Sequence, residues 1–464
     1  MSKYKFVYSD WLNLNCGSIP IANGMHPKVV EWMKAAAIAT PNATPDPIYS
    51  RTYEIESTYQ TKGSGLVFHH ANLLFYFRKY YGANNIVSED QIDPNDECAY
   101  FLPIEIEGPN INYLHRHFNF IINKETITYR FKDSISPKIM EHIKTGKVKL
   151  LLGCLTEFSH GVDTLKYIEQ AFRMVGIDPK NVIYIMGNTT TNYTGDIVQA
   201  TSHASLEQQA TIADRYPIER SSLGYLCDYP RPTELDSNKL RPKKYLSWNR
   251  TINRPHRFAL AYIALKYDML KDGLFSFLNA FSYRAIDHLP DLIDDPIDQI
   301  KPIADKIHAM LPYEIDTQDL TQQGKESFQT NENNNKDFYL DAYLHITSET
   351  IFDAHSSPFM SEKTFRPIMN LQPFIYVGNY KGLEELHRLG FKTFDGYIDE
   401  SYDQEQDPRK RFAMIEKEIQ RFNAMSIEEL HNWYYSLTDI LIYNQQHFLG
   451  FKEYNPLKEL FDRY

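Results

Sequence analysis

The chain of 464 residues is poor in cysteine, in basic clusters and in long apolar runs. Its four cysteines, Cys16, Cys98, Cys154 and Cys227, are scattered and form no CxxC pair, which argues against a zinc site and a disulfide framework and points to a reducing compartment. No apolar run approaches the ~20 residues of a membrane helix. The amino-terminal MSKYKFVYSDWLNLN lacks the apolar core and small-residue cleavage site of a signal peptide, so a soluble, cytoplasmic protein is expected. With a formal net charge of −11 and no Lys/Arg block, the broad electrostatic footprint of a nucleic-acid binder is missing, although a local basic groove is compatible with this balance. No internal repeat is evident.

What the chain does have is core. Hydrophobic residues make up 42% and aromatics 14%, with 33 Tyr and 27 Phe, a globular composition in a length that allows two or three domains. Residues 1–145 mix short apolar runs with loops, including KYKFVYS, GSGLVFHH and NYLHRHFNFIINKETITYRF. From Gly146 the pattern sharpens: KVKLLLGCL and NVIYIMGN are strand-like runs, and VDTLKYIEQAFRMVG between them has helical spacing, which together predict a parallel β-α-β unit. The Pro/Asp-rich CDYPRPTELDSNKLRPKK reads as a linker.

Beyond it, KYLSWN, GLFSFLNA, DAYLHITSET and PFIYVGN read as strands, with Phe374 and Tyr376 as core. The stretches RPHRFALAYIALKYDML, IDQIKPIADKIHAML, SEKTFRPIMN and KGLEELHRLG read as helices, followed by helices over 409–423, 427–443 and 456–463. The polar DTQDLTQQGKESFQTNENNNK reads as a surface loop, either a tolerated insertion or a lid. The expected architecture is α/β, with two Rossmann-like doubly wound domains facing across a cleft. Their boundaries fall at 1–235 for an acceptor-side domain and 236–440 for a nucleotide-sugar-binding domain, with a helical tail over 441–464.

Residues 343–378 carry the chemistry. A strand delivers His345, Thr347 and Glu349 to its carboxyl end, and Ser361-Glu362-Lys363 then opens a helix. Ligands of open α/β sheets bind outside the carboxyl ends of strands, and a helix N-terminus there favours an anion. Lys363 and Arg366 suit phosphate charge, and Glu362 can accept the hydroxyls of a ribose. The plain alternative is a solvated helix end capped by Ser361 with an incidental ion pair.

The run SEKTFRPIMNLQPFIYVG resembles the donor-domain motif of α1,3-fucosyltransferases, where Thr-Glu-Lys opens a helix and a P-x-V-x-G strand follows. Met360 and Ser361 stand where that family has Val or Ile and Thr, and the Glu-Lys pair is intact. KKYLSWNRTINRPHRFALAYIAL is similar to the strand and downstream arginine that open the family's donor domain. The likeness covers about 200 residues at motif level. It implies a GT-B fold and inverting, metal-independent transfer of a sugar from a GDP- or UDP-sugar to a hydroxyl acceptor. Asn249, Arg250, Arg257, Glu349, Ser361, Glu362, Lys363 and Arg366 would line the donor site. Residues 382–411 also resemble uncharacterised phage and bacterial proteins. The acceptor is open between a glycan, a lipid-linked sugar and a modified nucleobase, and a viral source would place the protein in the host cytoplasm. A non-catalytic glycan- or protein-binding module on the same scaffold is the rival reading.

An inverting transfer also needs a general base. LLGCLTEFSHG places Glu157 and His160 just past a parallel strand, with a helix-start acid and an ordinary loop histidine as the plain readings. No obligatory metal is expected: His69-His70 and His115-x-His117 lack ligand spacing, and Asp294-Asp295 reads as a Pro-containing turn and not as the Asp-x-Asp of a metal-dependent transferase. The turn GNTTTNYTGD could cap a helix or bond a sugar.

Overall fold

The computed structural model describes residues 4–8, 85–105, 120–122, 127–129, 136–154, 162–174, 176–186, 193–201, 235–252, 254–279, 289–313, 336–352, 358–451 and 461. Two compact units emerge, Met1–Ser205 together with Glu453–Tyr464, and Leu206–Lys452.

In chain order the first unit contains β1 (Tyr4–Tyr8), β2 (Ile86–Ser88), β3 (Ala99–Glu105), β4 (Phe120–Ile122), β5 (Ile127–Tyr129), α1 (Pro137–Lys144), β6 (Val148–Cys154), α2 (Val162–Met174), β7 (Val182–Met186) and β8 (Val198–Thr201). Six strands form one sheet in the order β2-β1-β3-β6-β7-β8, and every neighbouring pair is parallel. Strands β4 and β5 form a separate antiparallel pair. The β-α-β unit read from residues 147–188 is present as β6-α2-β7.

A parallel sheet needs cover on both faces, and alternation along the strands supplies apolar residues to each. Val7, Tyr100, Leu102, Leu150 and Leu152 pack with Ile139 and Ile143 of α1 and with Leu165, Ile168 and Phe172 of α2. On the opposite face Phe6 and Phe101 meet Phe461 at ring separations of 5.3 and 4.9 Å. The carboxyl-terminal segment thereby joins the first unit.

The second unit contains β9 (Lys243–Thr251), α3 (Pro255–Lys266), β10 (Gly273–Asn279), α4 (Ile297–Met310), α5 (Lys336–Asp341), β11 (Ala342–Ser348), α6 (Glu362–Met369), β12 (Phe374–Val377), α7 (Gly382–Arg388), α8 (Pro408–Ala424), α9 (Ile427–Ser436) and α10 (Thr438–Leu449). Its four strands run parallel in the order β10-β9-β11-β12. All seven residues of β11 and all four of β12 are buried, which explains why β12 reads as an unbroken apolar run and why the polar residues of β11, His345, Thr347 and Ser348, are buried with it.

Helix α3 is buried on every side, with Ala259, Ala261 and Ala264 admitting neighbours that longer side chains would hold off. Burying each of Phe258, Leu260 and Ile263 contributes about 1.5–3 kcal/mol. Helix α10 packs against α6, stacking Phe448 on Phe365 at 5.8 Å. The single helix expected over 427–443 is two helices, α9 and α10, meeting at Leu437. The reason is local: the hydroxyls of Ser436 and Thr438 donate to the carbonyls of Trp433 and Tyr435, competing with the helix's own bonds.

The chain leaves β9 to build β10 on one side, then returns to place β11 on the other side of β9. Strand order therefore reverses between β9 and β11, and their carboxyl ends bound the crevice where such sheets take ligands.

Candidate functional site

The carboxyl ends of β9 and β11 are polar where the middle of each strand is apolar. Ser247 Oγ donates to the Ile346 carbonyl at 3.1 Å, tying the two strands together, and Asn249 Nδ2 donates to Ser247 Oγ at 3.1 Å. Asn249 Oδ1 and Ser348 Oγ are buried without a hydrogen-bond partner, and so are Trp248 Nε1 and His345 Nε2. A buried orphan of this kind costs about 1–3 kcal/mol. All four lie on the adjacent strands β9 and β11, with Asn249 and Ser348 on one face of the sheet and Trp248 and His345 on the other.

Past β11 comes Glu349, which is 1% exposed. Its carboxylate accepts from Ser361 N at 3.0 Å, Ser361 Oγ at 2.7 Å, Thr364 Oγ1 at 2.5 Å and Thr350 N at 3.2 Å. Ser361 is the N-cap of α6, its Oγ accepting from Lys363 N at 3.3 Å. The carboxylate thus sits against the positive end of the helix dipole and holds the start of α6 at the strand end. Lys363 Nζ lies 3.2 Å from the same Ser361 Oγ, which brings its ammonium back over the cap. Tyr376 braces the approach to α6 by donating to the Phe359 carbonyl at 3.3 Å. Its ring lies so close over Gly378 and Gly382 that a Cβ at either would fall 2.3 or 2.2 Å from ring carbons.

The main-chain carbonyl of Glu349 has a second function, accepting from His256 Nε2 at 2.9 Å and Arg257 NH2 at 3.1 Å. Both donors stand on the first turn of α3, so one residue joins the starts of two helices. A carbonyl only accepts, so His256 carries its proton on Nε2. The His256 ring stacks on Phe352 at 5.6 Å, and the Arg411 guanidinium lies 4.4 Å from the centre of the same Phe352 ring.

Positive charge gathers here. Burial first, and then the nearby Arg257, Arg254 and Arg411, push the His256 pKa well below its usual value. Burial and then Arg366 push His345 down to about 3. Both imidazoles are neutral at pH 7. Asp403, near Arg411, is occupied as a cap for α7, accepting from Leu383 N at 2.9 Å and Glu384 N at 3.0 Å. The arrangement can hold an anion and stabilise negative charge that grows on it.

Of the residues singled out from the sequence, Asn249, Arg257, Glu349, Ser361 and Lys363 stand around the ends of β9 and β11. Arg366, 6% exposed, follows one turn into α6. Arg250 lies in β9 and Glu362 opens α6, and the described structure of both is limited to the main chain. Glu349 is a scaffold for the site, since its carboxylate is saturated by protein donors. Glu157, His160, the His69-His70 and His115-x-His117 pairs and residues 187–192 lie outside the described residues.

Asp294 is an exposed residue of an irregular stretch, as expected, and pairs with Arg409 at the surface, whereas Asp295 is largely covered and tied to Lys266 at 2.6 Å and to Tyr262 OH at 2.7 Å. Among the described residues no group of three or more His, Cys, Asp and Glu could hold a metal ion, and no helix is long and apolar enough to cross a membrane. Arg411, Arg254, His256 and Phe352 escaped the sequence reading. The run DPRKR offers three cations with nothing local to mark Arg411 as the buried one. Comparison with family models, with curated proteins and with solved structures finds no match for this chain.

Proposed function

We propose that the unit Leu206–Lys452 binds the diphosphate of a nucleotide sugar at the carboxyl ends of β9 and β11, and that the protein is an inverting, metal-independent glycosyltransferase of GT-B type. The observation that carries this reading is the gathering of Arg254, Arg257, Arg411 and Lys363 at the point where strand order reverses. A nucleoside diphosphate leaving group develops negative charge as the glycosidic bond breaks, and preorganised cations in a partly buried site stabilise that charge more than water does. Arginine forks suit phosphate oxygens bidentately, and Lys363 adds a point charge beside the α6 N-terminus.

Transfer to a hydroxyl of a glycan, a lipid-linked sugar or a modified nucleobase completes the reaction, with a general base taking the hydroxyl proton. The donor half is tested by thermal shift with GDP, UDP, ADP and CMP, followed by turnover of the matching nucleotide sugars in EDTA. Stabilisation by one nucleoside diphosphate, and its loss in Lys363→Ala and Arg257→Ala, is the expected result. If no nucleotide stabilises the protein and neither variant changes anything, the reading fails. Binding without transfer or hydrolysis leaves a recognition module on this scaffold.

A further inference from the structure

The cations at the end of the sheet account for phosphate recognition and leave the orphaned atoms of β9 and β11 unexplained. Asn249 is 0% and Ser348 2% exposed, yet Asn249 Oδ1 and Ser348 Oγ meet no hydrogen-bonding atom of the protein. They belong to the same place. The register pairs Leu246 with His345, and continued three residues along each strand it sets Asn249 level with Ser348, on the same face of the sheet at the reversal point. Asn249 Nδ2 is committed to Ser247 Oγ, which fixes the amide so that its free atom is the carbonyl oxygen. That oxygen needs a donor. A diphosphate at neutral pH offers only acceptors, so this pair of atoms is matched to a different part of a ligand from the arginines.

We infer that Asn249 Oδ1 and Ser348 Oγ form a hydroxyl-reading subsite, in which Asn249 accepts from a ligand hydroxyl and Ser348 bonds the same or an adjacent hydroxyl. The inference rests on the nucleotide reading above and deepens it: the ligand is polyhydroxylated next to its diphosphate, as a ribose or a transferred hexose is. A fold that keeps two neighbouring polar groups without protein partners loses stability by doing so, and ligand recognition is the return on that loss. A site built to bond a hydroxyl discriminates strongly against a ligand lacking it, because the buried groups are then left bare.

Ser348→Ala is the sharp test, since Ser348 Oγ supports nothing in the protein and its removal leaves the fold intact. Asn249→Ala is the second variant. Each is titrated in the full chain with inorganic pyrophosphate, GDP and UDP, and its unliganded melting temperature is recorded. The expected result has three parts: Ser348→Ala melts no lower than the parent, it binds the preferred nucleotide about tenfold or more weaker, and its pyrophosphate Kd stays within about twofold. Equal weakening for pyrophosphate and nucleotide overturns the inference, because the pair then reads no hydroxyl. Unchanged binding of all three, or a lower melting temperature with unchanged affinity, also overturns it and leaves an internal hydration site. If the parent protein binds pyrophosphate and not the nucleotides, the hydroxyl subsite fails while the anion site stands. If it binds none of the three, the nucleotide reading itself has failed.

Discussion

The two ends of the second sheet treat their polar groups differently. At the amino end Arg241 is 6% exposed and bonded throughout: NH1 donates to the carbonyls of Tyr339 at 2.9 Å and Ala342 at 2.6 Å, and NH2 donates to Tyr434 OH at 2.6 Å. Its main-chain N–H donates to Tyr343 OH at 2.8 Å, and its guanidinium lies 4.0 Å from the Tyr434 ring centre. Gln372 Nε2 donates to the same two carbonyls, at 2.5 and 2.7 Å. At the carboxyl end, cations crowd a neutral histidine and four buried polar atoms lack partners. Buried arginine is common to both ends, so arginine alone marks nothing. The amino end has an unpartnered atom too, Gln372 Oε1, and what marks the carboxyl end is that two such atoms, Asn249 Oδ1 and Ser348 Oγ, stand level on adjacent strands.

The comparison breaks hardest at Arg241. Arg241→Ala removes three buried hydrogen bonds of a charged donor together with the guanidinium's stacking on the Tyr434 ring and leaves a cavity, so a loss of about 3–5 kcal/mol is expected in denaturant unfolding, with nucleotide affinity of the folded fraction unchanged. Lost affinity in a folded Arg241→Ala would erase the distinction between the ends. Acid comes next. His256 and His345 are held neutral in the fold, with pKa values below the ordinary 6.5, so the unfolded chain takes up protons that the folded one refuses. Stability conferred on the neutral forms is therefore complete above about pH 6.5 and declines as pH falls below it, for His345 by about 1.4 kcal/mol per pH unit, reaching about 2 kcal/mol at pH 5. For His345 the decline continues down to its folded value of about 3. His345→Gln should flatten the slope between pH 6.5 and 5, and an unaltered slope would count against the buried neutral imidazole.

A smaller effect is expected at Gly378→Ala. Its Cβ would meet the Tyr376 ring at 2.3 Å, and both are held in the core, so overpacking of about 1–3 kcal/mol follows together with a loosened α6 start. Weaker nucleotide binding with the melting temperature lowered is the expected pair of observations. Lys363→Ala should move stability least, within about 0.5 kcal/mol for a partly exposed side chain, while lowering nucleotide affinity and flattening its salt dependence. A large stability loss there would return Lys363 to the scaffold.

Much of the second unit was legible in advance. Strands β9 to β12 and helix α3 carry apolar runs whose length and period identify them, and the Ser361 cap follows from a residue type suited to that position. The break at Leu437 was not, because Ser436 and Thr438 can point outward in a continuous helix as easily as they can compete for its carbonyls. Glu349 looked like a ligand contact from its place at a strand end, and became a clasp only when Ser361 and Thr364 closed on it. Asn249 and Ser348 stand out only once β9 and β11 are neighbours.

The sequence by itself determined strands β6, β7 and β9 to β12, helices α2, α3 and α4, and that a helix begins at Ser361, since each of these depends on residues within a few positions of one another, whereas β2, β3, β8, α1 and α5 were not legible in it. Tertiary structure alone decided that Arg411 reaches Phe352, that His256 and Arg257 share the carbonyl of a residue 93 and 92 positions away, and which buried polar atoms go without partners. The physical reason is that hydrophobic periodicity is a local property of the chain, whereas hydrogen-bond completion and the sum of charges at a point depend on every element that folding brings there.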